Sequence, residues 1–163
     1  MLRSGSKLAA ILTLLLDALK GFMPVMLVKL NSQLFDLPHV TMALVGLAAF
    51  FGHLYPIFFK FKGGKGVATA AGVIFAISWP LGLATLGTWL IIAVFFRYSS
   101  LAALVAAVFV PVYYLMGHGV AWNAETPITA ALIVMSAMLV YAHRENITRL
   151  LKGTESKLGK KVV

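Results

Sequence analysis

The chain has no cysteine, and its 163 residues include only five aspartates and glutamates against fourteen lysines and arginines. Without cysteine there is no disulfide, no thiolate metal site and no cysteine nucleophile. Charge of either sign is scarce: 12% of residues are charged and 61% are hydrophobic, whereas a soluble domain is about a quarter charged. So little polar surface cannot cover a soluble globule, and the composition points to an integral membrane protein. Internal repeats, linkers and low-complexity segments are also missing. The net charge of +9 would suggest nucleic acid in a soluble protein. Here the basic residues cluster between apolar runs, with no basic–aromatic alternation and no zinc pattern, so no nucleic-acid partner is expected. The first apolar run is broken by Asp17 and Lys20 and is followed by no small-x-small cleavage site, so it reads as a retained helix rather than a signal peptide.

What the sequence does have is apolar runs of membrane-crossing character, at residues 8–30, 40–59, 67–78, 81–96, 99–116 and 127–141. The third is short, and residues 67–96 could instead form one helix kinked at Pro80. Charge separates the two arrangements. With six crossings, Arg3, Lys7, Lys60, Lys62, Lys65, Arg97, Arg144, Arg149, Lys152, Lys157, Lys160 and Lys161 share one face, which is twelve of the fourteen basic residues. Five crossings would blur that asymmetry. The positive-inside rule therefore predicts an all-α, polytopic membrane helix bundle of six spans with both ends cytoplasmic. It is read as a single transmembrane domain over 1–163, with a basic cytoplasmic tail at 142–163. Lys29 stands out as the one cation in an opposite loop.

The dense polar stretches fall on the cytoplasmic side. The foremost is "KFKGGKGVATAAG" at 60–72. Its glycines allow close backbone approach, the next helix begins with unpaired N–H groups, Lys65 adds charge and Thr69 a hydroxyl, which together would suit a phosphate. The pattern alone fits a flexible, inside-positive loop equally well. It is not a P-loop, because Gly66 follows Lys65. No G-x-S-x-G elbow and no H-x-x-x-x-D acid–base pair occurs. Asp17 and Lys20, at i and i+3 within a span, read as an ion pair supporting the bundle, and one of Ser99 and Ser100 reads as the cap of the fifth run.

At this point the chain resembles a known family. "GHLYPIFFKFKGGKGVAT" at 52–69 looks like the signature of the bacterial acyl-phosphate:glycerol-3-phosphate 1-O-acyltransferases. "DALKG" at 17–21, "RYSSL" at 97–101 and "HRENITRLLKGTE" at 143–155 fit that family's other elements, in order. The resemblance implies a seven-helix membrane enzyme that moves a fatty acyl group from acyl phosphate to the 1-hydroxyl of glycerol 3-phosphate, giving lysophosphatidic acid for phospholipid synthesis. It implies no cofactor and no metal, with membrane lipids as surroundings and a cytoplasmic active face on the bacterial inner membrane. The family has a further first helix and a loop like "GSGNPGATN-x-x-R", of which Arg3 matches the final arginine. The chain is accordingly expected to lack that helix and most of that loop.

The resemblance also assigns roles. Gly63, Gly64, Lys65 and Gly66 would cradle a phosphate with Thr69, and Arg3 and Arg144 would bind substrate. Ser100, His143 and Asn146 are the expected catalytic set, the last two on one helical face. His53 either orients the glycine loop or touches substrate. Acyl phosphate is a mixed anhydride with a good leaving group, so direct attack by the glycerol hydroxyl needs no covalent enzyme intermediate. Two other readings compete. One is a truncated, inactive membrane relative. The other is a small anion transporter subunit, which would place polar groups at mid-membrane and often carry a repeat.

Overall fold

The computed structural model describes residues 7–32 and 34–159; Arg3, Lys160 and Lys161 lie outside these residues. The described chain is helical: α1 (Lys7–Asn31), α2 (His39–Leu54), a 3₁₀ turn (Ile57–Phe59), α3 (Val67–Ile77), α4 (Trp79–Phe96), α5 (Ser99–Met116), α6 (Thr126–Ala142) and α7 (Arg144–Leu151). Four helices, α1, α2 with its following turn, α4 and α5, are long and apolar enough to cross a membrane. α6 joins them only together with α7, across a bend of 56°. α3, with 11 residues, rises about 17 Å, short of a hydrocarbon core of about 30 Å. The segment 67–96 is not one kinked helix. Ser78 is extended (φ −153, ψ 121) and ends α3, while Pro80 falls in the first turn of α4, where its missing N–H costs nothing.

The chain divides into two compact units, Met1–Trp79 and Pro80–Val163. In the first, α1 and α3 meet through glycines. A Cβ at Gly21 would strike the Thr69 carbonyl, and one at Gly72 would strike the Ala18 carbonyl and the Phe22 nitrogen. At Gly46 of α2 an added Cβ would press on the Val73 side chain instead. Only residues without a side chain let backbones come this close. Lys29, the apparent exception to the charge pattern, is accounted for here. It lies in α1, and its ammonium donates to the carbonyls of Ala76 (3.1 Å) and Ile77 (2.8 Å). It therefore satisfies two of the carbonyls that the C-terminus of α3 leaves open.

In the second unit, α5 and α6 pack along an alanine seam. Ala102, Ala103, Ala106 and Ala107 are buried, as are Ala131, Leu132 and Met135 of α6. Ser136 donates to the Ala107 carbonyl at 2.7 Å across this seam. The α5–α6 loop closes on Trp122, whose ring stacks on Tyr114 (5.8 Å) and whose Nε1 donates to the Tyr114 carbonyl (2.7 Å). After α7 the chain turns at Gly153, with φ +68, and runs back to the α4–α5 corner. There Leu158 N donates to the Arg97 carbonyl at 2.7 Å, and the Arg97 guanidinium donates to the Leu158 carbonyl at 3.1 Å. Lys157 sits over the Tyr98 ring at 5.6 Å. The segment expected as a basic tail thus contains a helix and a return strap.

Candidate active site

In the first unit the glycine run is built on the last turn of α2. Lys60 and Phe61 take left-handed conformations (φ 53 and 59), which reverse the chain, and Phe61 N donates to the Pro56 carbonyl at 3.0 Å. The loop then lies down on α2, where Gly64 N donates to the His53 carbonyl at 3.3 Å. Each neighbouring glycine answers to a specific obstacle. A Cβ at Gly63 would meet the His53 and Leu54 carbonyls and Pro56 Cδ, one at Gly64 the His53 imidazole, and one at Gly66 the Phe50 ring and Leu54. Gly66 also has φ +82, which a side chain would strain. These glycines are therefore required by the floor beneath the loop, before any ligand is considered.

α3 opens directly from this loop with Gly66 at its N-cap and no side-chain cap. Its first-turn N–H groups have no intrahelical partner and carry the positive end of the helix dipole, with the exposed Lys65 alongside. Thr69 sits elsewhere than the sequence suggested. It is 0% exposed, pressed against Gly21 in the α1–α3 seam, and its Oγ1 has no hydrogen-bond partner among the described residues. The expected Asp17–Lys20 pair forms at 2.5 Å. Asp17 Oδ1 also lies 3.5 Å from His53 Nδ1.

In the second unit the three expected catalytic residues, Ser100, His143 and Asn146, are all buried. Ser100 does not cap α5. Tyr98 holds that position without a side-chain bond. The Ser100 hydroxyl instead donates to Glu155 Oε1 at 2.6 Å, and Asn146 Nδ2 donates to the same oxygen at 2.6 Å. Arg149 Nε completes the group with a 2.7 Å bond to Glu155 Oε2. His143, at the α6–α7 bend, makes a 2.8 Å bond between Nδ1 and the Leu139 carbonyl. A carbonyl can only accept, so Nδ1 carries the proton. Arg144 donates to the Tyr141 carbonyl at 3.3 Å, and its guanidinium lies 4.7 Å from the centre of that ring.

Glu155 is the residue that sequence reasoning missed. Its side chain is only 7% exposed. Burial alone would push its carboxyl up, but the bonds from Ser100, Asn146 and Arg149 outweigh that and hold it below the usual carboxylate value. A carboxylate so occupied is a poor base and a good anchor.

Fold and site define a polytopic membrane protein with a glycine–lysine loop at a helix N-terminus and a buried polar cluster fastened by one carboxylate. The family model described as "Glycerol-3-phosphate acyltransferase" matches residues 1–153. A glycerol-3-phosphate acyltransferase of Albidiferax ferrireducens is 64% identical over 161 residues, covering 99% of this chain and 72% of its own. One of Bordetella petrii is 60% identical, covering 99% and 75%. Among solved structures, the integral membrane glycerol 3-phosphate acyltransferase PlsY (YgiH) in its glycerol 3-phosphate form superposes with a TM-score of 0.86 at 38% identity, over 96% of this chain and 74% of that one. Its lysophosphatidic acid form gives 0.85. The chain belongs to the glycerol-3-phosphate acyltransferase family.

Proposed function

We propose that the protein transfers a fatty acyl group from acyl phosphate to the 1-hydroxyl of glycerol 3-phosphate, releasing phosphate and forming lysophosphatidic acid at the cytoplasmic face of a bacterial inner membrane. The observation that carries this reading is the loop Gly63–Gly66 opening into the uncapped first turn of α3. It is an anion-binding arrangement in a chain that superposes on a solved relative in its glycerol 3-phosphate form. In this reading Lys65 and the first-turn amides of α3 stabilise phosphate charge. Arg3 and Arg144 assist at the headgroups, and Ser100, His143 and Asn146 hold the glycerol phosphate for attack on the acyl carbon. The carbon–oxygen bond to phosphate breaks as the new ester forms. Glu155 is too well hydrogen-bonded to take the hydroxyl proton; in this reading a substrate phosphate oxygen receives it.

The test is direct. Purified protein in lipid bilayers, given acyl phosphate and labelled glycerol 3-phosphate, should form labelled lysophosphatidic acid. No product would refute the assignment. Lys65→Ala should lower kcat/KM about a hundredfold, the usual cost of removing a charge-stabilising donor. Trapping an acyl-enzyme in a single turnover would overturn the direct-attack mechanism.

A further inference from the structure

His53 stands between two features that the acyl transfer leaves unexplained. On one side is the intramembrane pair Asp17–Lys20. On the other is Gly64, where an added Cβ would collide with His53 Nε2 and lie 2.9 Å from Cε1. Asp17 Oδ1 is 3.5 Å from His53 Nδ1 and 2.5 Å from Lys20 Nζ. The backbone of the same histidine receives the loop as well, through the 3.3 Å bond from Gly64 N to its carbonyl. One residue thus supports the loop twice, by its carbonyl and by its ring.

The orientation of the ring follows from its partner. The Asp17 carboxylate faces Nδ1 at 3.5 Å and can only accept, an arrangement that suits a hydrogen on that nitrogen. In the neutral ring this leaves Nε2, the edge against Gly64, with a lone pair. A lone pair repels phosphate oxygens, so this edge suits the loop and not the ligand. Lys20 already matches the charge of Asp17, so the ring needs no charge of its own to be held there. We infer that His53 is a positioning residue: held through Nδ1 by Asp17, its imidazole sets the height and path of the loop at Gly64, and so the presentation of Lys65 and the first turn of α3. Asp17 and Lys20 act through it. This rests on the reading of the loop as a phosphate site.

The collision between Gly64 and the ring supplies the test, a double-mutant cycle read by steady-state kinetics and by glycerol 3-phosphate binding. His53→Ala removes the support and Gly64→Ala pushes the ring away, so each should raise the KM for a phosphate substrate about tenfold with kcat within about twofold, as expected for contacting positions. In the His53→Ala background the added methyl enters the space the ring has left, so Gly64→Ala should cost little more. His53→Gln, whose amide reaches the far edge of the ring, should recover most of the loss, and Asp17→Asn should fall between. Thermal unfolding in detergent identifies any variant that merely fails to fold. If Gly64→Ala costs the same factor with and without the imidazole, or if folded His53→Ala keeps the parent KM, the inference is overturned. Lys65→Ala keeps the two readings apart: normal phosphate-substrate binding in that variant would sink the phosphate-loop reading itself, whatever the cycle shows.

Discussion

A single carboxylate, Glu155, gathers Ser100, Asn146 and Arg149. Removing it takes the shared acceptor from the buried Ser100 and Asn146, at about 1–3 kcal/mol for each group left unsatisfied. Glu155→Ala should therefore lower the thermal midpoint clearly and abolish acyl transfer. Glu155→Gln should do less, because its carbonyl oxygen can still accept from Ser100 and Asn146. The pH dependence has a definite sign. The folded value of the Glu155 carboxyl lies below its unfolded one. Its contribution is thus complete above the ordinary carboxylate range and is lost as pH falls through the folded value. Acid titration of the thermal midpoint should show a step that Glu155→Gln removes.

At the scale of the elements, α1 and α3 bring their backbones together at Gly21 and Gly72. Gly21→Ala places its methyl on the Thr69 carbonyl, a rigid obstacle, and should cost about 1–3 kcal/mol as overpacking does. Lys29→Met, which keeps the stem and loses the cap on Ala76 and Ile77, should cost about 1 kcal/mol. Both are read by thermal unfolding in detergent. The six apolar helices were legible in the sequence, whereas α7 lay in the stretch read as a basic tail. The 99–116 run matches α5 residue for residue, and the 127–141 run differs from α6 by one residue at each end. The glycine loop was legible as well, because glycine and lysine between apolar runs are conspicuous. The reason for its glycines was not, since it lies in atoms of Phe50, His53 and Leu54 that fold back beneath it. Glu155 was hidden for a similar cause. Its partner Ser100 lies 55 residues away, and no periodicity links a carboxylate after a turn to a serine at another helix start. Lys29 looked like a misplaced loop charge because helix C-capping across 47 residues leaves no local signature.

For the whole molecule, the number of membrane crossings turns on α3. α3 is short, but it runs alongside α1. Gly21 meets Thr69 and Lys29 meets Ile77, eight residues further along both helices. The end of α3 is thereby tied to the last turn of α1, which favours six crossings. The absence of cysteine makes this measurable, since one introduced thiol is the only reactive site. Cysteines at Lys62 and Lys152 should label from the cytoplasmic side and one at Asn123 from the opposite side. Trp79→Cys should label with Asn123→Cys. If it labels with Lys62→Cys, α3 does not cross.

The strap from Gly153 to Leu158 has a consequence for the order of synthesis. A chain emerging from the ribosome can insert α5 as soon as that helix is made, with the Ser100 hydroxyl at its first turn. The acceptor for that hydroxyl is translated 55 residues later, after α6, after α7, and after the turn at Gly153. Until Glu155 emerges, Ser100, Asn146 and Arg149 have no common anchor, and the α4–α5 corner has no strap. The polar cluster of the second unit thus closes only after its helices are made, with the Leu158–Arg97 contact following it, and a nascent chain stopped before Glu155 would hold every helix of the bundle while still lacking its clasp.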